Sequence, residues 1–178
     1  MKKAFLTDLD TSPVGGKLAQ VAFTLDQAMI PEEELGLLVG RPKGVEVPRF
    51  LAELGNITSE FLLDFGSYRD LQRHRAGIIR MPLLTTKLGF NDWYLDELPE
   101  DLRDRATGLI LRQGKAIDAL DCDDVTRQDY CAMGFQVPCR VTQGLPGFIY
   151  RLELRSGKTV HPSLRRVVHE EIKQFRTA

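Results

Sequence analysis

The chain has 178 residues, of which 43% are hydrophobic and 28% charged; this suits one soluble globular domain, spanning residues 1 to 178, with a single sizeable core. Its 24 lysines and arginines nearly balance 25 acids, which excludes a global field that would steer nucleic acid or an anionic membrane and leaves only local basic patches. No run of about 18 apolar residues offers a transmembrane helix, and MKKAFLTDLD breaks its apolar stretch with an aspartate, unlike a secretory leader. The expectation is a cytoplasmic protein with neither a membrane nor a nucleic acid as partner. Cys122, Cys131 and Cys139 are too widely spaced for a CxxC pair and read as free thiols in a reducing compartment.

Taken in chain order, helix and strand candidates alternate without repeats. KLAQVAFTLDQAM (17 to 29) follows the Gly15-Gly16 breaker and places Leu18, Val21, Phe23, Leu25 and Met29 near helical spacing, predicting a packed helix. PEEELGLLV predicts a second helix, opened by proline and acids that suit the macrodipole, and PRFLAEL a short one that stops at Gly55. From 57 to 65, Ile57, Ser59, Phe61, Leu63 and Phe65 fall on one face, the periodicity of a strand. Gly66 ends it, and Ser67 with Asp70 three residues on predicts a capped helix start, so this stretch is a strand-to-helix junction.

LPEDLRDRATGLILRQGKAIDAL (98 to 120) predicts a long helix opened by Pro99, with Leu102, Ala106, Leu109, Ile110, Ile117 and Leu120 toward the core. DDVTRQDYCAMGF suggests another helix, QVPCRVTQG a short edge strand carrying a proline, and GFIYRLELRSG is ambiguous between strand and helix. HPSLRRVVHEEIKQF closes the pattern as a helix with Leu164, Val167, Val168, Ile172 and Phe175 on one stripe.

The chemistry concentrates in GSYRDLQRHR (66 to 75). At 3.6 residues per turn Arg69 lies above Arg73 and Asp70 beneath His74. The arginines form a cationic ledge at the carboxyl end of a strand, and a guanidinium fork matches a pair of phosphate oxygens. The alternative is an Asp70–Arg73 pair on a solvated face. His161 reads as a helix-start residue, His169 as solvated, and no metal-ligand pair emerges from three distant histidines. Trp93 and Tyr94 in GFNDWYLDELP suit an anchored loop or a wall over a bound ring. Ser67 has no base placed beside it and reads as a cap.

FLLDFGSYRDLQRHR resembles the signature region of the flavin-dependent thymidylate synthases, in particular a divergent branch that reads YRDLxRHR. In that family RHR opens the longer motif RHRxxSxxxxSxR, whose arginines and histidine meet flavin and the phosphate of deoxyuridine monophosphate; Arg73, His74 and Arg75 are the matching residues. LELRSGKTVHPSLRR resembles the family's leucine-arginine segment and puts Arg155 at the arginine that holds the nucleotide and activates its base. The two matches frame roughly residues 45 to 175. The chain departs from the pattern at Ile78 and Leu83, where the motif has serines, and at Thr85, where it has arginine. Glu53-Leu54 stands for a glutamate-histidine pair, Met133-Gly134 for alanine-arginine before Val137-Pro138, and GLPG for an Asn-x-Arg.

The resemblance implies an α/β (α+β) single domain with a mixed sheet flanked by helices, assembled as a homotetramer. It also implies an enzyme that binds FAD and a small-molecule pyrimidine nucleotide and carries out reductive methylation of dUMP or a related pyrimidine, with methylenetetrahydrofolate and NADPH as further cofactors. Arg155 is then the catalytic residue. Arg73, His74 and Arg75 hold the cofactor, and Arg69, Arg73 and Arg155 the substrate. The competing expectation is a non-catalytic paralogue that keeps the oligomeric fold as a structural or regulatory partner.

Overall fold

Strict alternation makes residues 57 to 63 the axis of the fold. The computed structural model describes residues 18–26 and 40–177. Strand β1 (Ala19–Leu25) is followed by a 3-10 helix (Arg49–Leu54), β2 (Gly55–Asp64), α1 (Phe65–Leu71), β3 (Gly77–Arg80) and α2 (Asp92–Asp96). Then come α3 (Glu100–Asp118), α4 (Asp124–Arg127), a 3-10 turn (Gln128–Tyr130), β4 (Gln136–Gly144), α5 (Leu145–Arg155) and α6 (Pro162–Thr177). The strands form one four-stranded sheet in the order β1-β2-β4-β3, and every pairing is antiparallel. The chain is thus a single α+β domain, and the expected mixed sheet is corrected to an antiparallel one among the described residues. The helix expected at PEEELGLLV lies outside the described residues.

Of the helix expected over 17 to 29, the described residues 18–26 carry the strand β1 instead. Over the described part, Ala19, Val21, Phe23 and Leu25 point inward while Gln20, Ala22 and Thr24 are exposed, a period of two that the β-branched and aromatic content favours. Phe23 packs edge-on against Phe148 of α5 and tilts against Phe175 of α6. The sheet's odd-numbered face is buried: Ile57, Ser59, Phe61 and Leu63 lie opposite Gln143, Val141, Cys139 and Val137. The helices α5 and α6 pack over this face through Leu145, Phe148 and Leu152 and through Leu164, Val167 and Val168. The even-numbered face carries the Glu60–Arg140 ion pair and the Thr58–Thr142 hydroxyl contact, the polar alternation of a sheet covered on one side.

β4 is central, not the expected edge strand. Pro138 is accommodated because β3 ends at Arg80 opposite Arg140, so that part of β4 has a strand neighbour only in β2. The long helix α3 forms as expected, but only Gly114 and Ile117 of it are buried. Leu102 and Leu109, expected to face the core, are exposed. DDVTRQDYCAMGF breaks into one turn of α-helix and a 3-10 turn. The 3-10 helix before β2 stops at Gly55, whose φ of 129° suits a residue without a β-carbon; a β-carbon there would stand 2.0 Å from the Thr24 carbonyl oxygen. All three cysteines are free thiols, and no described helix is long and apolar enough to cross a membrane.

Candidate functional site

The strand-to-helix junction forms two residues before the expected one, since β2 ends at Asp64 and Phe65 and Gly66 already belong to α1, and its cap is different. Asp64, not Ser67, is the N-cap of α1: its Oδ2 accepts from the Ser67 amide at 2.8 Å, as aspartate at that position does readily. Ser67 lies inside the helix and is buried. One turn later the chain leaves α1 through Arg73, His74 and Arg75.

The structure brings together two of the predicted site residues. Arg155, at the end of α5, donates from Nε to His74 Nε2 at 3.0 Å and from Nη2 to the Asp70 carbonyl at 2.6 Å. Its Nη1 lies 3.7 Å from the Asp70 carboxylate. It therefore closes the carboxyl end of α1, where a cation suits the free carbonyls. His74 is buried, and burial together with the Arg155 and Arg151 charges lowers its pKa to about 4. It is a neutral imidazole at pH 7 whose Nε2 is the acceptor. Arg69, Arg73 and Arg75 are exposed. Arg73 has only a 3.9 Å contact with Asp70, and Arg69 reaches toward the Met133 sulfur at 3.5 Å. Arg73 and Arg155 thus approach the same Asp70 carboxylate, while Arg69 turns toward Met133.

Beside this cluster lies a cleft of about 560 Å³, within the usual size range of small-ligand sites. One wall is the segment around Val45 and Val47, clamped to α5 because Glu153 accepts from the Gly44 amide at 2.9 Å and pairs with Arg41. The other wall is the start of α5, with Pro146 and Tyr150, and Ala76 lies between. Tyr150 joins cleft to cluster: it lines the cleft, and its ring meets that of His74 edge-on with centroids 6.0 Å apart. Gly147 keeps the floor open, since a β-carbon there would stand 3.1 Å from the Ala76 carbonyl oxygen and 3.5 Å from Gln143 Nε2. That amide nitrogen is buried without a hydrogen-bond partner, while Gln143 Oε1 is fixed by Arg151 Nε at 2.7 Å. That nitrogen is sealed behind Gly147 and does not line the cleft; the α5 start, which has no side-chain cap, is what the cleft offers a ligand carbonyl or anionic oxygen.

Flavin is the group that the resemblance implies, and the residues fit it in part. The apolar walls and the uncapped α5 start suit a ring with a polar edge, and Arg73 and Arg75, which precede the lining residue Ala76 in the chain, suit a phosphate. The second half of the signature offers less: Ile78 is an exposed apolar side chain and Leu83 lacks a hydroxyl. Sequence reasoning missed Tyr150, Gln143 and the Val45 wall. GFIYRLELRSG showed no clear period, so Tyr150 could not be given a direction, and Gln143 is recognisable only once β4 is known to be buried.

A second polar cluster lies at the amino end of α1. The buried Asp64 accepts from Tyr94 Oη at 3.1 Å and from Ser163 Oγ. Ser163 Oγ is 2.8 Å from both His161 Nδ1 and Ser67 Oγ. Burial, the Asp64 charge and this hydrogen bond push the Tyr94 hydroxyl up to about 12. Trp93 and Tyr94 pack their rings against His161, with centroids 4.4 and 5.3 Å away, so they anchor a junction and do not hang over the cleft. His161 precedes α6, as expected, and its carbonyl accepts the first helical bond from Arg165. His169 is exposed and lies 3.2 Å from the Ser156 carbonyl.

No known family model matches the chain. A UPF0159 protein of Chlamydia muridarum (strain MoPn / Nigg) is similar to it at 28% identity, over 84% of this chain and 30% of that protein. The chain thus spans about a third of the length of the curated relative it matches.

Proposed function

We propose that the chain binds a flavin or pyrimidine nucleotide, with the flat ring against Tyr150 in the cleft and the phosphate beside the exposed Arg73 and Arg75. The observation that carries this reading is the continuity of the cleft with the Arg155–His74 pair through Tyr150. A neutral His74 holds Arg155 by an acceptor nitrogen without competing for anionic charge, so the guanidinium keeps its full charge for a ligand. The uncapped amide groups at the start of α5, which lines the cleft, supply donors for a ring carbonyl. A bound flavin, once reduced by NADPH, would supply the hydride for reductive methylation of dUMP or a related pyrimidine, with methylenetetrahydrofolate as carbon donor. Arg155 would there stabilise charge that develops on the base.

The test is a titration of the purified chain with FAD, flavin mononucleotide and dUMP, followed by flavin fluorescence and calorimetry. Saturable binding that weakens with salt is expected, since exposed arginines are screened over about 10 Å at 0.1 M. Arg155→Ala is expected to weaken it by about 1.5 to 3 kcal/mol, the range for a charge-assisted bond. A folded chain that binds none of the three would overturn the proposal.

One observation favours the second reading, a non-catalytic oligomeric paralogue. All three nitrogens of Arg155 already face groups of α1 or of the turn after it, while Leu102, Leu109 and Leu111 are exposed on α3 and suit a subunit contact. Light scattering well above 20.1 kDa with no ligand binding would select it.

A further inference from the structure

We propose that Asp64, Ser163 and His161 form a proton relay whose outer end, His161 Nε2, accepts a proton from an ionisable hydroxyl or ring N–H of a bound molecule. This site is separate from the cleft and does not depend on the nucleotide reading.

Asp64 is fully buried, and its carboxylate has no cation within ion-pairing distance among the described residues. It is held by three donors: the Ser67 amide and Tyr94 Oη on Oδ2, and Ser163 Oγ on Oδ1. A carboxylate can only accept, so the single hydroxyl proton of Ser163 is committed to it. Both remaining neighbours of Ser163 Oγ, at 2.8 Å each, must then donate: His161 from Nδ1 and Ser67 from its hydroxyl. If Nδ1 were bare, two lone pairs would face each other at 2.8 Å. The 3.2 Å approach of Ser67 Oγ to Nδ1 is consistent with a shared Nδ1–H. The tautomer of His161 is thereby fixed from behind, and Nε2 carries the free lone pair. No described group accepts from or donates to Nε2, and the residue is partly exposed. The Trp93 and Tyr94 rings hold the imidazole in place.

The transfer balances. When Nε2 takes a proton from the bound molecule, the Nδ1 proton passes to Ser163 Oγ and the Ser163 proton to Asp64 Oδ1. The molecule is left as an anion, the imidazole stays neutral with its proton on Nε2, and Asp64 becomes a neutral acid. Tyr94 Oη and the Ser67 amide keep their bonds to Oδ2 throughout.

The experiment is long-range proton–nitrogen correlation NMR on the full chain above the titration midpoint of His161, with His74 and His169 as internal references. His161 is expected to show a protonated Nδ1 and an unprotonated Nε2. Ser163→Ala should shift the population toward protonated Nε2, the form that an unconstrained imidazole prefers, and Ser163→Thr should restore the wild-type pattern. A protonated Nε2 in the wild-type chain, or a tautomer unchanged in a folded Ser163→Ala variant, would overturn the relay. Should Ser163→Ala fail to fold, the wild-type tautomer alone still decides.

Discussion

Two arginines one turn apart on α5 show how position decides what the same side chain does. Arg151 is fully buried and makes a two-pronged pair with Glu171 of α6 at 2.7 and 2.8 Å. Its Nε meets Gln143 and its Nη2 lies 3.3 Å from Ser59 Oγ. Arg155 has left the core: its side chain is 14% exposed, and its partners are a neutral histidine, a carbonyl and a half-exposed carboxylate. A ligand cannot displace Glu171 from Arg151 without leaving a buried charge, whereas it can exchange with Asp70 at Arg155. Arg151 therefore locks α5, α6 and the sheet, whereas Arg155 ties the end of α5 to α1 and the turn after it.

The sharpest way to break this contrast is to remove Glu171. Glu171→Ala should destabilise the chain by about 3 to 5 kcal/mol, because it strands the Arg151 charge in the core. The paired change Arg151→Met with Glu171→Leu should recover most of that loss in a chemical denaturation series. If the single variant cost less than 1 kcal/mol, the pair would behave as a surface bridge and the contrast would fail.

Acidification tests the other end. The native pKa of His74 is lowered to about 4 against an unfolded value near 6.5, so the unfolded chain binds the proton first. His74 thus contributes stability that is present above about pH 6.5 and lost as pH falls toward 4. The full loss is about 3 kcal/mol, at 1.36 kcal/mol per unit. Denaturation midpoints between pH 7 and 4 should fall accordingly, and His74→Gln should flatten this part of the profile.

Smaller effects separate Arg155 from the exposed ledge. Arg155→Ala should cost about 1.5 to 3 kcal/mol, the range for hydrogen bonds from a charged group, measured by urea denaturation. Arg73→Ala should stay within about 0.5 kcal/mol, since its 3.9 Å contact with Asp70 is solvent-exposed. A larger loss at Arg73 would mean that the ledge supports the fold and is not free to meet a ligand.

The secondary structure was legible wherever one pattern stood clear of its rivals. Residues 57 to 63 alternate without interruption, α3 begins with proline and acids, and the α6 stripe repeats at 164, 167 and 168; all three formed. Residues 18 to 26 misled because Leu18, Val21 and Leu25 satisfy helical spacing while Ala19, Val21, Phe23 and Leu25 satisfy alternation. Only the seven-residue pairing with β2 decides between them. The apolar residues of α3 could not be assigned to the core by periodicity, because amphipathicity says that a face is apolar and not what covers it.

Local order in the sequence, namely the alternation of β2, the carboxylate-capped start of α1 and the helical stripe of α6, set where the chain bends and which side chains face inward. It also fixed the neighbourhood of Arg73, His74 and Arg75, because those residues are adjacent in the chain. Tertiary structure alone brought Arg155 onto His74, sealed Arg151 with Glu171 and set His161 behind Ser163 and Asp64. Those contacts join residues 81, 20 and about a hundred positions apart, and a contact between distant residues is fixed by how the helices seat on the sheet, which no local spacing encodes.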